Sequence, residues 1–374
     1  MSSFVFQEGN LFVTKDGAIA LPSFFLLIGA PIFLSGRLLI GGLLLVIGMG
    51  LLLRSAMDRI IEEDRQEIRY NILSAEDIVA ELEALEGLDE GGENRNDDDD
   101  KPRIQVIAGL AALAKKTAKE NRPESLPLLC QQAAYMALGM YPEDDEVVCG
   151  AISLLALVAR DTAVRERIKY QADDYGLDVP IGAMRRALER AQQQEEELQE
   201  EHLAEIQRKS CLLLGALADG DKELELPLKI VEEDGLQAIL DAANWFRFHE
   251  EVLNWALWAI FCICYDHLKN KVQLVRLGGI LTVCRSLKNA PEGLEVNRHG
   301  IAILFDLLRE NQDPAEGVKF DPWEVRRLAL ASGLHDVVVN AMTEFSDSLD
   351  IMMMGQEMLL GTGYRGDIPQ YQQI

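Results

Sequence analysis

Apolar residues recur in one shared pattern along four stretches of the chain. Each stretch opens with an acidic residue followed by a β-branched one: Glu146-Val147, Glu205-Ile206, Glu251-Val252 and Glu295-Val296. Four places after the β-branched residue stands a small one, Ala151, Ser210, Ala256 or Gly300. Apolar residues follow at plus seven, plus eight and plus eleven: Leu154/Leu155/Val158, Leu213/Leu214/Leu217, Ala259/Ile260/Ile263 and Ile303/Leu304/Leu307. At about 3.6 residues per turn these positions share one stripe, which predicts four amphipathic helices of a single kind. The small residue predicts a close helix crossing, because helix axes approach only where side chains are short.

A second marker lies between these helices, a glycine before an apolar residue: Gly176-Leu177, Gly235-Leu236, Gly279-Ile280 and Gly333-Leu334. It predicts a tight turn with a positive backbone angle at the glycine. The two series move together. From 146 to 205 and from 176 to 235 the spacing is 59, while from 251 to 295 and from 235 to 279 it is 44. Such a period belongs to stacked helical repeats of about 40 to 47 residues.

The spacing also locates what departs from the pattern. Gly to the next Glu is 16 residues in two repeats but 29 from Gly176 to Glu205, and the stretch Gln192 to Glu201 supplies the excess. It predicts a polar helical insertion near 191–204, projecting by roughly 20 Å. A second insertion near 310–322 carries two prolines and a glycine and reads as a loop.

Leu274-Val-Arg-Leu-Gly-Gly-Ile-Leu281 resembles the turn into the second helix of an armadillo repeat, and Val252 to Phe261 resembles its third helix. The resemblance covers Glu205 to about Val339 well and Arg103 to Ala204 less closely. It implies an all-α, right-handed armadillo-type α-solenoid of about four to five repeats, spanning 103–345. It further implies that the third helices line a groove that holds an extended partner chain, with candidate groove residues Lys209, Asn254, Trp255, Arg298 and His299. Peptide-holding members place an asparagine four residues after a groove tryptophan. Trp255 matches the tryptophan, but Ala259 stands at the asparagine position, and Leu154, Leu213 and Ile303 stand at its equivalents. This disfavours nuclear-import-type binding and points to another kind of partner surface.

Upstream, after a tail at 1–17, Ala18 to Leu53 contains one charge, Arg37. A helix of that length would run roughly 54 Å, beyond a hydrocarbon core of about 30 Å, so the expectation is a helical hairpin split at Ser35-Gly36-Arg37, or a single tilted span. Arg54, Arg59, Arg65 and Arg69 follow it while Lys15 alone precedes it, which predicts a repeat domain facing the cytosol. Amphipathic helices are expected over 54–87, where Ser74 and Asp77 form a capping pair ahead of the stripe Ile78, Val79, Leu82 and Leu85. The acidic stretch at 88–102 reads as a disordered linker. At the other end, 346–374 holds a last helix, marked by Met352 to Met354 and Met358, that caps the stack, and a loose tail from Gly361.

The net charge of −26, from 36 basic and 62 acidic residues, argues against nucleic acid as a partner and favours a protein partner with basic or extended segments. Six cysteines fall in apolar helical stretches and read as reduced core thiols. The five histidines show no ligand spacing, and no phosphate loop, nucleophile elbow or metal motif is present. The expectation is therefore a protein that is not an enzyme, has no cofactor or small-molecule substrate, and serves as a membrane-anchored scaffold. The alternatives are a structural accessory subunit of a membrane complex and an armadillo-type nucleotide-exchange factor for a chaperone.

Overall fold

The computed structural model describes Phe12–Val13, Ile19–Ala20, positions 62, 65, 66, 69 and 70, and the stretches 73–89, 101–118, 123–171, 175–193, 197–220, 225–309 and 321–372. The chain divides into two compact units, Met1–Ile61 and Glu62–Ile374. In the first, β1 (Phe12–Val13) pairs antiparallel with β2 (Ile19–Ala20). Ile19 and Ala20, which the hairpin reading places in its first helix, are extended; the rest of 18–53 lies outside the described residues. Among the described residues no single helix is long and apolar enough to cross a membrane.

Among its described residues the second unit holds sixteen α-helices packed against their neighbours, an all-helical architecture compatible with an α-solenoid. One series consists of α1 (Ala75–Asp89), α3 (Leu126–Met140), α6 (Asp178–Gln193), α9 (Gly235–Trp245), α12 (Gly279–Asn289) and α15 (Leu334–Glu344), each packed on the next. A parallel series, α2 (Lys101–Thr117), α4 (Asp145–Val158), α7 (Glu197–Ala218), α10 (Glu250–Cys264), α13 (Leu294–Leu308) and α16 (Leu349–Gly361), does the same. Every member of the first series also packs on the following member of the second, which makes six layers. In the last four layers a short helix precedes the pair: α5 (Thr162–Tyr170), α8 (Leu226–Glu232), α11 (Leu268–Arg276) and α14 (Pro322–Ala331).

The shared sequence pattern explains the packing. Its plus-seven and plus-eight positions, such as Leu154, Leu155, Ala259, Ile260, Ile303 and Leu304, are all at least 97% buried. The small residue faces the second-helix partner in its own layer. A Cβ on Gly300 would lie 2.7 Å from Leu287 of α12, and one on Gly355 would lie 2.6 Å from the Met342 sulfur of α15. Gly109 of α2 also faces α1, at an ordinary contact distance of 3.4 Å from Ile78 and Leu82. The stack therefore begins at α1 and not near Arg103, and α16 is a further copy of the repeated helix: Asp350-Ile351, Gly355, Met358 and Leu359 fall at the pattern's own spacing.

The short helices stitch layers together by capping carbonyl groups left open at helix ends. Arg165 of α5 donates to the carbonyls of Ala159, Ala216 and Asp219, and Lys229 of α8 donates to that of Ile168. Asn270 of α11, 1% exposed, donates to the Pro227 and Ile263 carbonyls at 3.0 and 2.7 Å. The buried ammonium of Lys271 pairs with Asp306 of α13 at 2.8 Å.

Several boundaries differ from expectation. The positive backbone angle of the turns falls on Asp234 (φ 59°), Gly278 (φ 77°) and Gly333 (φ 88°), one step ahead of Gly235 and Gly279. Those two glycines are required by proximity instead: a Cβ there would come within 2.9 and 2.8 Å of the Ile230 and Leu274 carbonyl oxygens. The insertion near 191–204 is shared by two helices. α6 is 16 residues long where α9, α12 and α15 have 11, and α7 opens eight residues ahead of Glu205 where α10 and α13 open one residue ahead of their acidic position. The Ser74 cap forms as expected, accepting from the Asp77 N–H at 3.1 Å, but α1 continues to Asp89 and α2 starts at Lys101, which shortens the acidic linker at both ends. Of the predicted loop, 310–320 lies outside the described residues, while Asp321 caps α14 and Pro322 is its first residue. The tail beyond Gly361 is held, not loose. Tyr364 and Ile368 pack on the core, and the Gln372 N–H donates to the Ser346 carbonyl at 2.9 Å.

Candidate functional site

The second series of helices, α4 through α16, carries equivalent positions one turn after each acidic opening. The five candidate residues fall there, on three consecutive helices: Lys209 on α7, Asn254 and Trp255 on α10, Arg298 and His299 on α13. All five are half-buried. The Trp255 ring stands edge-on to Trp258 at 5.5 Å and 90°, and Trp258 in turn lies against Gly215 of α7.

Two of the five are committed to partners within the chain. Lys209 pairs with Glu205 at 3.6 Å. Arg298 bridges layers, binding Glu295 on its own helix and Asp350 of α16 at 2.8 Å. The other three present unmet hydrogen-bonding capacity: Asn254 Oδ1, Trp255 Nε1 and His299 Nδ1 are buried without a hydrogen-bond partner among the described residues. Burial lowers the His299 pKa, with Glu295 opposing, so the ring favours its neutral form. Unmet polar atoms in native structures are uncommon and mark places where water or a ligand group completes the bonding.

The acidic openings have a structural task that the sequence pattern did not disclose. Arg208 forks onto Glu205 with two contacts of 2.5 Å, and Arg103 reaches from α2 to both Asp144 and Glu146. Burial raises the Asp144 carboxyl, but the Arg103 guanidinium and the Val147 and Glu146 N–H groups outweigh it and hold the group below the ordinary carboxylate value. Spacing gave a partial signal for these residues, since Arg208 and Arg298 follow their acidic partners by three places on a helix. The link to Arg103 required the layers to be stacked.

The positions where the resemblance implied an asparagine ladder are core. Leu154 and Ala259 are fully buried, and Leu213 and Ile303 nearly so. The residues there answer to packing, and the missing ladder says nothing about groove chemistry.

Burial raises the Cys211, Cys262, Cys264 and Cys284 thiols, Cys262 to about 12 and Cys284 to about 11, which leaves them unreactive near neutral pH. All six cysteines are free. Among the described residues no group of three or more His, Cys, Asp or Glu side chains is placed to hold a metal ion. Compared with models of known protein families, with curated proteins and with solved structures, the chain matches none.

Proposed function

We propose that this chain is a non-catalytic scaffold of the armadillo type, its layers a right-handed solenoid, which binds other polypeptides on the face formed by α7, α10 and α13. The repeat period, the three-helix composition of the last four layers and the neighbour-to-neighbour packing support the armadillo reading. The hydrophobic stretch 18–53 and the arginines that follow it support anchorage at the cytosolic face of a membrane.

The observation that carries the binding role is the set of unmet groups on adjacent helices: Asn254 Oδ1, Trp255 Nε1 and His299 Nδ1. A polypeptide that displaces the side chains covering these atoms would complete their bonding, with Trp255 Nε1 donating and Asn254 Oδ1 accepting beside aromatic surface. Proximity labelling from the carboxyl terminus of the full chain in intact cells tests this, comparing the parent with a variant carrying Asn254→Ala, Trp255→Ala and His299→Ala. Cytosolic neighbours should be labelled by the parent, and at least about tenfold less by the variant, since truncated interface anchors cost that much or more. Lumenal neighbours would overturn the orientation, and an unchanged set would overturn the binding face.

A further inference from the structure

The series α1 to α15 presents a different face, and one cleft on it has an unusual charge. Between α9 and α12 lies a cavity of about 100 Å³ lined by Asn244, Arg247, Thr282, Arg285, Ser286 and Asn289, together with Ala243. No carboxylate lines it. Elsewhere on this series arginines are paired, Arg185 with Asp234, Arg186 with Glu143 and Arg190 with Asp145. Among the described residues neither Arg247 nor Arg285 has an ion-pair partner.

Three of the other lining groups are engaged in hydrogen bonds of their own. Asn244 and Thr282 hydrogen-bond across it at 3.1 Å, and the Ser286 hydroxyl donates to the Thr282 carbonyl at 3.0 Å. The two guanidinium groups, with the Asn289 amide, are thus the polar functions left to a ligand.

The flanks are apolar. Phe248, 73% exposed, lies under the Arg247 guanidinium at 5.0 Å, and Trp245 is 43% exposed. Asn244 and Trp245 also line a neighbouring depression of about 510 Å³ between α6 and α9, but Glu189 and Asp241 line it too, so carboxylate recognition is confined to the arginine cleft. Unpaired arginines beside exposed aromatic rings have the composition of an interface anchor, and a guanidinium matches a carboxylate with two parallel hydrogen bonds.

We infer that this face docks an acidic polypeptide, seating an Asp or Glu carboxylate between Arg247 and Arg285 and an adjacent apolar side chain on Trp245 and Phe248. The site is separate from the third-helix surface and takes a partner of opposite charge. Fluorescence anisotropy of the full chain with a fluorescein-labelled peptide of alternating Glu and Leu tests it. Binding should weaken at least about tenfold in Arg247→Gln/Arg285→Gln, weaken likewise in Trp245→Ala/Phe248→Ala, and fall as salt is raised.

Absence of peptide binding by the parent chain, or equal binding by the arginine variant, would overturn the inference. So would full displacement of the peptide by inorganic phosphate together with indifference to the aromatic substitutions, which would mark a site for small anions only. Circular dichroism checks folding; if the double variant loses helicity, Arg285→Gln alone, at an exposed position, is judged by the same criterion.

Discussion

At the scale of single residues, Gly215 permits a close approach between layers. A Cβ there would lie 2.4 Å from the Trp258 ring and 3.1 Å from the Ala259 Cα. Helix propensity alone favours alanine over glycine by about 1 kcal/mol. Crowding wins, because the opposing atoms include backbone and a ring held against Trp255. Gly215→Ala should therefore lower the unfolding free energy by about 1 to 3 kcal/mol, read from the urea midpoint; a stabilised variant would show that α7 and α10 can part at no cost. His299 supplies a second prediction. Its folded pKa lies below the ordinary 6.5. As pH falls the unfolded chain takes up this proton first, so the contribution is intact above about 6.5 and is lost as pH drops from there through the folded value. The melting temperature should fall between about pH 7.5 and about pH 5.5, and His299→Gln should fall less. Equal slopes for parent and variant would reject the assignment.

At the scale of elements, the repeated helix is defined by what it buries. Five helices, α4, α7, α10, α13 and α16, share the acidic opening, the small residue and the apolar pairs, and each turns those pairs inward. The fifth copy is hidden in the sequence by Met358 at the plus-seven position, by polar Thr362 at plus eleven and by Asp350 in place of glutamate. Unbranched Met358 fills the same space as the leucines of other layers. The insertion was legible as an excess of residues but not as its distribution, because a count along the chain does not say which helix lengthens. Leu188 and Ala191 of α6 and Leu203 and Ala204 of α7 are buried, so the extra turns pack on one another and share the excess. The last layer has its own closure, with the tail running from Tyr364 beside His335 to Gln372 at Ser346. A chain ending at Glu344 should lose cooperative unfolding and aggregate, because the Val338 and Met342 face of α15 would be uncovered. One ending at Gly363 should stay folded with a lower melting temperature. Light scattering and thermal denaturation distinguish them, and a soluble, cooperative product from the shorter chain would show that α16 is dispensable.

At the scale of the whole molecule, stability in a stack comes from nearest-neighbour contacts, so layers with two neighbours outlast those with one. Hydrogen exchange should be slowest in α7 and α10 and progressively faster towards α2 and α16, measured peptide by peptide by mass spectrometry. Uniform protection from α2 to α16 would indicate a single cooperative core instead. The charge excess acts at this scale as well. Acidic side chains at the layer openings are largely neutralised by Arg103, Arg208 and Arg298, which leaves the uncompensated negative charge to other surfaces and makes the unpaired Arg247 and Arg285 stand out.

The sequence by itself determined the kind of helix, its period and the order of layers. Each rests on local periodicity: an apolar stripe at 3.6 residues must be buried, and a stripe recurring at a fixed interval must be buried against its own copies. Only the tertiary structure decided which half-buried polar groups remain unmet, which acids are already paired, and where the turn glycines are needed. Those properties depend on atoms brought together from layers some 40 to 60 residues apart, such as Arg103 with Asp144, Arg160 with Asp219, or Gly215 with Trp258. No pattern along one helix contains that information, because the neighbour that settles each case belongs to the next layer.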